Sequence, residues 1–190
     1  MRNGVVIVSS IALLTIVMLS TPQLFIAQAR AAEVSMDTSK IEIPKSVKTE
    51  HDEIHSTLVE ATKAPGRVGV AAKELAEVLH PHFVREEQIA LPPLGLLAPL
   101  AAGKQLPENV ASKALSMTDA LQSELPNMLE EHKKIRAAVE KLHLAARAEH
   151  ATTYERLAEQ LALHAQTEEE VLYPAAIMVG KVIRERSQKQ

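Results

Sequence analysis

"HFVREEQIALPP" (residues 82–93) and "HAQTEEEVLYPA" (residues 164–175) are two versions of one phrase: histidine, three variable residues, two acids, a short apolar run, then proline. His82 and His164, Glu86 and Glu168, and Pro92 and Pro174 each stand 82 positions apart. Upstream, "EHDEIHSTL" (50–58) pairs with "EHKKIRAAV" (131–139), and His51 and His132 are 81 apart. A period of this length predicts two copies of one helical hairpin, each an "EHxxI" helix followed by an "HxxxEE…P" helix.

Composition agrees with helices. Of 190 residues only 2% are aromatic, tryptophan is absent, and the apolar residues are mostly Ala, Leu, Val and Ile; such a chain favours helix over sheet. Val47, Ile54, Leu58 and Val59 mark a first helix over roughly 46–63, ended by "APGRVG". The second is expected over roughly 68–91, kinked at Pro81, and "LPPLGLLAPLAAGKQLP" reads as a breaker-rich connection. A third, roughly 108–148, carries Pro126, which is expected to divide or bend it. The fourth covers roughly 151–173 and is expected to stop at Pro174, with a short tail helix over 176–190. No stretch alternates with period two. The fold class is all-α, with a bundle over residues 46–175.

Four residues on a helix is about one turn, so in each copy the His and the first Glu project to one point. Helical bundles direct such pairs inward to build metal sites. With the upstream histidines, the candidate ligands are His51, His82, Glu86, His132, His164 and Glu168. Four imidazoles and two carboxylates are too many for one tetrahedral zinc and suit two six-coordinate ions, with iron, manganese and zinc all compatible. Between the copies Phe83, Val84 and Arg85 are replaced by Ala165, Gln166 and Thr167, while His and Glu are retained. The bland alternative is a plain helical repeat whose His–Glu pairs are solvated contacts.

These residues resemble the hemerythrin-like, or HHE cation-binding, domain over roughly 46–175. The resemblance implies an antiparallel four-helix bundle of two pseudo-repeated hairpins. It also implies a centre of two non-haem iron ions, oxo- or hydroxo-bridged, held by the same six residues with Glu86 and Glu168 as bridges. A second third-helix histidine, present in oxygen carriers of the family, is Met128 here, and only Phe83, Tyr154 and Tyr173 supply aromatic lining after the first thirty residues. Both departures count against dedicated oxygen carriage. Glu169 competes with Glu168 for the last carboxylate position, and His55 is expected just outside the ligand set. His80 is expected to face elsewhere, His143 and His150 to be solvent-exposed, and Tyr173 to cap the site or anchor a helix end. "EVLH" (77–80) and "EKLH" (140–143) form a rival Glu-x-x-His constellation of the ferritin-like type.

Arg2 precedes the apolar run "GVVIVSSIALLTIVMLS", and "AQA" (27–29) or "ARA" (29–31) offers a cleavage site. Residues 1–29 therefore read as a signal helix, with an uncleaved anchor as the alternative, and 30–45 as a linker. The expected location is periplasmic or secreted, with no membrane contact for the mature domain if cleaved. Net charge is −3 with no basic stripe, and cysteine is absent, so nucleic acid, disulfides and thiolate sites are excluded. No fused signalling domain is expected. The function expected is a di-iron protein whose partner is a small diatomic molecule or peroxide, or which handles iron, and which binds more than it turns over. The alternatives are a peroxidatic redox enzyme at the same centre and a metal-free helical interaction module.

Overall fold

The structure is a computed structural model that describes residues 40–188. The expected signal segment and most of the linker lie outside these residues. The described chain is helical, with no strand: α1 (Lys45–Thr62), α2 (Gly66–Ile89), a 3₁₀ turn (Pro92–Leu96), α3 (Leu97–Ala101), α4 (Glu108–Ala148), α5 (Thr152–Thr167), a π turn (Glu168–Leu172) and α6 (Tyr173–Ser187). None of these helices is long and apolar enough to cross a membrane.

Each helix forms where apolar residues recur every three or four positions. On α1 the buried stripe is His51, Ile54, Leu58 and Ala61; on α2 it runs from Val68 through Leu75 and Leu79 to His82, Phe83, Glu86 and Ile89. The polar ligand candidates thus continue the core-facing stripe, the position where an unpaired polar group is most costly. The turn into α2 needs a glycine, because Gly66 has φ +73° and a Cβ there would meet the Glu149 carboxylate at 2.5 Å. That carboxylate accepts hydrogen bonds from the Arg67 and Val68 amides (2.6 and 3.4 Å), capping the positive end of α2.

The helices run on through their prolines. α2 is continuous through Pro81 and α4 through Pro126; Pro126 does not divide its helix. Both prolines are exposed, as are Glu77 and Gln122 four residues earlier. The carbonyl that loses its partner therefore faces water, which limits the cost. Pro174 does not end the last helix either. The chain opens into a π turn, with Tyr173 N–H bonded to the Glu168 carbonyl, and Pro174 then occupies the first turn of α6. A proline in a first turn has no hydrogen bond to lose. The supposed connection after α2 is a packed element, with Leu91, Pro92, Pro93, Leu94, Leu96 and Leu100 buried.

α1 packs on α2, α2 on α4, α4 on α5, and α5 back on α1, which closes a bundle. One core lies within it, around Leu75, Leu79, Ile135, Leu142, Leu157 and Leu161. A second gathers Ile89, Leu91, Leu94, Leu121, Met128, Tyr173 and Ala176, where α6 and the 3₁₀ turn pack on the first half of α4. Along α2 and α4 the buried histidines and glutamate fall between these two cores. They are His82 and Glu86 between Leu79 and Ile89, and His132 between Met128 and Ile135.

Candidate metal centre

All six predicted residues meet in this layer, each at most 2% exposed: His51 from α1, His82 and Glu86 from α2, His132 from α4, His164 from α5 and Glu168 from the π turn. They form two groups of four, His51, Glu86, His164, Glu168 and His82, Glu86, His132, Glu168, which share both carboxylates. Within each group one atom per residue lies within 4.8 Å of the others. Glu168 turns Oε1 to His164 Nε2 (3.0 Å) and His51 Nε2 (3.5 Å), and Oε2 to His132 Nε2 (3.4 Å). Glu86 turns Oε2 to His51 Nε2 (3.9 Å) and Oε1 to His82 Nε2 (3.3 Å). Each carboxylate therefore offers one oxygen to each histidine pair.

Most of these contacts are not hydrogen bonds. His51 Nδ1 and Nε2, His164 Nε2, Glu86 Oε2 and Glu168 Oε1 are buried and have no hydrogen-bond partner. Native proteins rarely leave buried polar atoms unsatisfied, and an ion is one of the standard reasons when they do. The residues fit a metal: neutral imidazole and carboxylate suit iron, manganese or zinc.

Beyond them stands a ring of four carboxylates on the outer imidazole nitrogens. Glu131 Oε2 lies 2.8 Å from His82 Nδ1, and Glu169 Oε1 lies 2.7 Å from His132 Nδ1. Glu50 Oε1 lies 3.2 Å from His164 Nδ1, and Glu87 Oε1 lies 3.8 Å from His51 Nδ1. Glu50 and Glu131 occupy the same place in the two repeats, as do Glu87 and Glu169. Every letter of "EH" and "HxxxEE" thus has a position in this layer. Glu169 belongs to this outer ring and stands outside the two groups of four. Glu50, Glu87 and Glu131 were not singled out from the sequence. Their signal was the letter before each upstream histidine and the second letter of each "EE".

Burial opposes charge on His82, but the hydrogen bond and charge of Glu86, aided by Glu131 and Glu168, outweigh it and raise its pKa to about 9. His164 is raised to about 9 in the same way against burial, mainly by Glu168. The carboxylates differ. Burial and the nearby Glu168 charge push Glu86 up, whereas the imidazoles of His132, His164 and His51 facing Glu168 outweigh its burial and hold it well below the usual range.

Tyr173, 1% exposed, donates its hydroxyl to Glu86 and lies 3.2 Å from His132 Nε2. Burial, then the charges of Glu86 and Glu168, raise its pKa, so it stays a neutral phenol. It caps the His132 side of the centre; its counterpart in the first repeat is Leu91. Met128 is buried one turn before His132, in the second core. On the opposite side Phe83 stacks on His51 at 4.1 Å.

The other histidines lie elsewhere. His55 and His80 are exposed and face each other. His55 does not join the buried groups: Ile54 and Leu58 take the core-facing positions of that turn of α1 and His55 is exposed. His143 is half-buried, not fully exposed, with Nε2 3.6 Å from Glu155 and 3.9 Å from Glu159. His150 is exposed, in a positive-φ turn. The rival Glu-x-x-His pairs are not brought together: Glu77 and Glu140 are exposed, away from the buried groups.

No curated protein and no solved structure matches the chain. The family match covers the second repeat, with His132, His164 and Glu168, and does not extend over the first. Residues 123–188, from the middle of α4 through α6, match the model of the hemerythrin HHE cation binding domain.

Proposed function

We propose that this chain is an exported, non-haem di-iron protein that binds a small molecule such as oxygen, nitric oxide or peroxide, or handles iron. One observation carries the reading: Glu86 and Glu168 each present one oxygen to each of two histidine pairs, the arrangement two bridged ions require. The paired contacts of the two repeats also support an antiparallel arrangement of two related hairpins. Iron bound there would supply reversible redox chemistry and open coordination positions.

The chain's own residues would do the rest. His51, His82, His132 and His164 would donate their inner nitrogens, oriented by the outer carboxylates. The cores on either side exclude water, and the Tyr173 hydroxyl places one hydrogen-bond donor beside Glu86. Export rests on the apolar N-terminal run and its small-residue cleavage site.

The test is metal content and visible spectrum of the protein purified in air, compared with His164→Ala. The expected result is about two iron ions per chain, with charge-transfer bands that weaken in the variant. No bound metal after anaerobic ferrous loading would overturn the reading.

A further inference from the structure

The two repeats match at the ligands but not at the surface above them. Four residues after His132, Arg136 donates Nη1–H to Glu169 Oε1 at 2.7 Å, on the oxygen that also faces His132 Nδ1. That guanidinium closes the outer wall of the second repeat. Four residues after His51 the corresponding side chain is His55, and the corresponding carboxylate, Glu87, has in place of an arginine the Lys48 ammonium at 3.7 Å, which also pairs with Asp52. Here the wall opens into a cavity of about 210 Å³ lined by His51, Asp52, His55, His80, Phe83 and Glu87, with Lys48 at its side.

His51 is the buried end of this cavity, 1% exposed and with neither ring nitrogen hydrogen-bonded. The exposed imidazoles of His55 and His80 stand at the other end, ring centroids 5.8 Å apart. His80 corresponds to Ala162 in the second repeat. The closed side therefore has a cation and no imidazole pair, and the open side has an imidazole pair beside Asp52, Glu87 and the Lys48 that pairs with both.

We propose that His55 and His80 form a loading site for a divalent transition-metal ion, at the mouth of the passage that ends at His51. The proposal rests on the reading of the buried cluster as a metal centre. Two imidazoles with water completing the coordination hold such an ion without encaging it, as transfer inward requires. Lys48 pairs with both Asp52 and Glu87 and leaves one negative charge in excess at the mouth, which favours a cation. Phe83, stacked on His51, is the wall the ion passes.

The test uses the full chain with Co²⁺ and Zn²⁺ as probes. Co²⁺ uptake is followed by visible absorption in the wild type and in His55→Ala/His80→Ala, which alters only exposed side chains. Uptake is expected to slow by roughly tenfold in the double variant with final metal content unchanged. In a second experiment Zn²⁺ is titrated into His132→Ala/His164→Ala, where both buried groups are broken. The bound-ion count is expected to fall by one when His55→Ala/His80→Ala is added. Equal uptake rates overturn the loading role, and an unchanged zinc count overturns the site. A wild-type chain that never fills its buried centre removes the reading of that centre, and the zinc titration then decides the surface pair by itself.

Discussion

His82 shows what one side chain needs in order to be useful here. Its inner nitrogen must point at Glu86 and be free of a proton when a metal binds, and its ring must not rotate. Glu131 meets the second need by accepting the Nδ1–H at 2.8 Å from a different helix. Outer-shell partners of this kind are worth about 10–100-fold in metal affinity, so Glu131→Ala is expected to weaken binding by that factor while leaving the helical fold intact. Chelator competition measures it; affinity equal to wild type would mean that the ring is held by packing alone. The buried His–Glu pairs were readable from spacing, because His and Glu four apart must share a helix face. Glu131 was not, since a glutamate beside a histidine points to another face of its own helix, and only α2 arriving from elsewhere makes it a partner of His82.

At the scale of elements, helix extents followed from apolar periodicity, and α4 spans the predicted residues. Whether Pro174 ends its helix is something local sequence cannot supply. The cost of a proline inside α2 and α4 is limited by the exposed turn before it, where Glu77 and Gln122 face water. In the last helix the π turn places Glu168 in the centre and delivers Pro174 to the first turn of α6. α6 then lies close against α4, where a Cβ on Gly180 would stand 2.3 Å from Thr118 Oγ1 and 2.9 Å from its Cβ. Gly180→Ala is therefore expected to cost about 1–3 kcal/mol through overpacking. Urea denaturation would register it as a lower midpoint at constant slope, and an unchanged midpoint would show that Thr118 can turn aside without cost.

For the whole molecule the centre links metal, protons and stability. In the metal-free chain His82 and His164 hold their protons up to about pH 9, above the 6.5 of an unperturbed imidazole. Raised folded-state values mean that this stabilisation is complete below pH 6.5 and is lost as pH rises towards 9. Metal binding requires both rings neutral, so near neutral pH loading is expected to release about two protons from them, and affinity is expected to fall as pH falls. Calorimetry in buffers of different ionisation enthalpy counts the protons; loading without release would show that these rings are not ligands. The metal-free and loaded chains should thus respond to alkali in opposite directions.

The sequence alone determined that the chain is helical, that it carries one phrase twice, and that each His–Glu pair shares a helix face, because periodicity and i,i+4 spacing are properties of one helix at a time. Tertiary structure decided which carboxylate oxygen faces which histidine pair, since that depends on four helices converging. It also assigned Glu50, Glu87, Glu131 and Glu169 to the outer imidazole nitrogens. Finally, it showed where the repeat's symmetry fails. Arg136 and His55 are equivalent letters, yet one lies over Glu169 and the other rims a cavity, and only packed neighbours can make that difference.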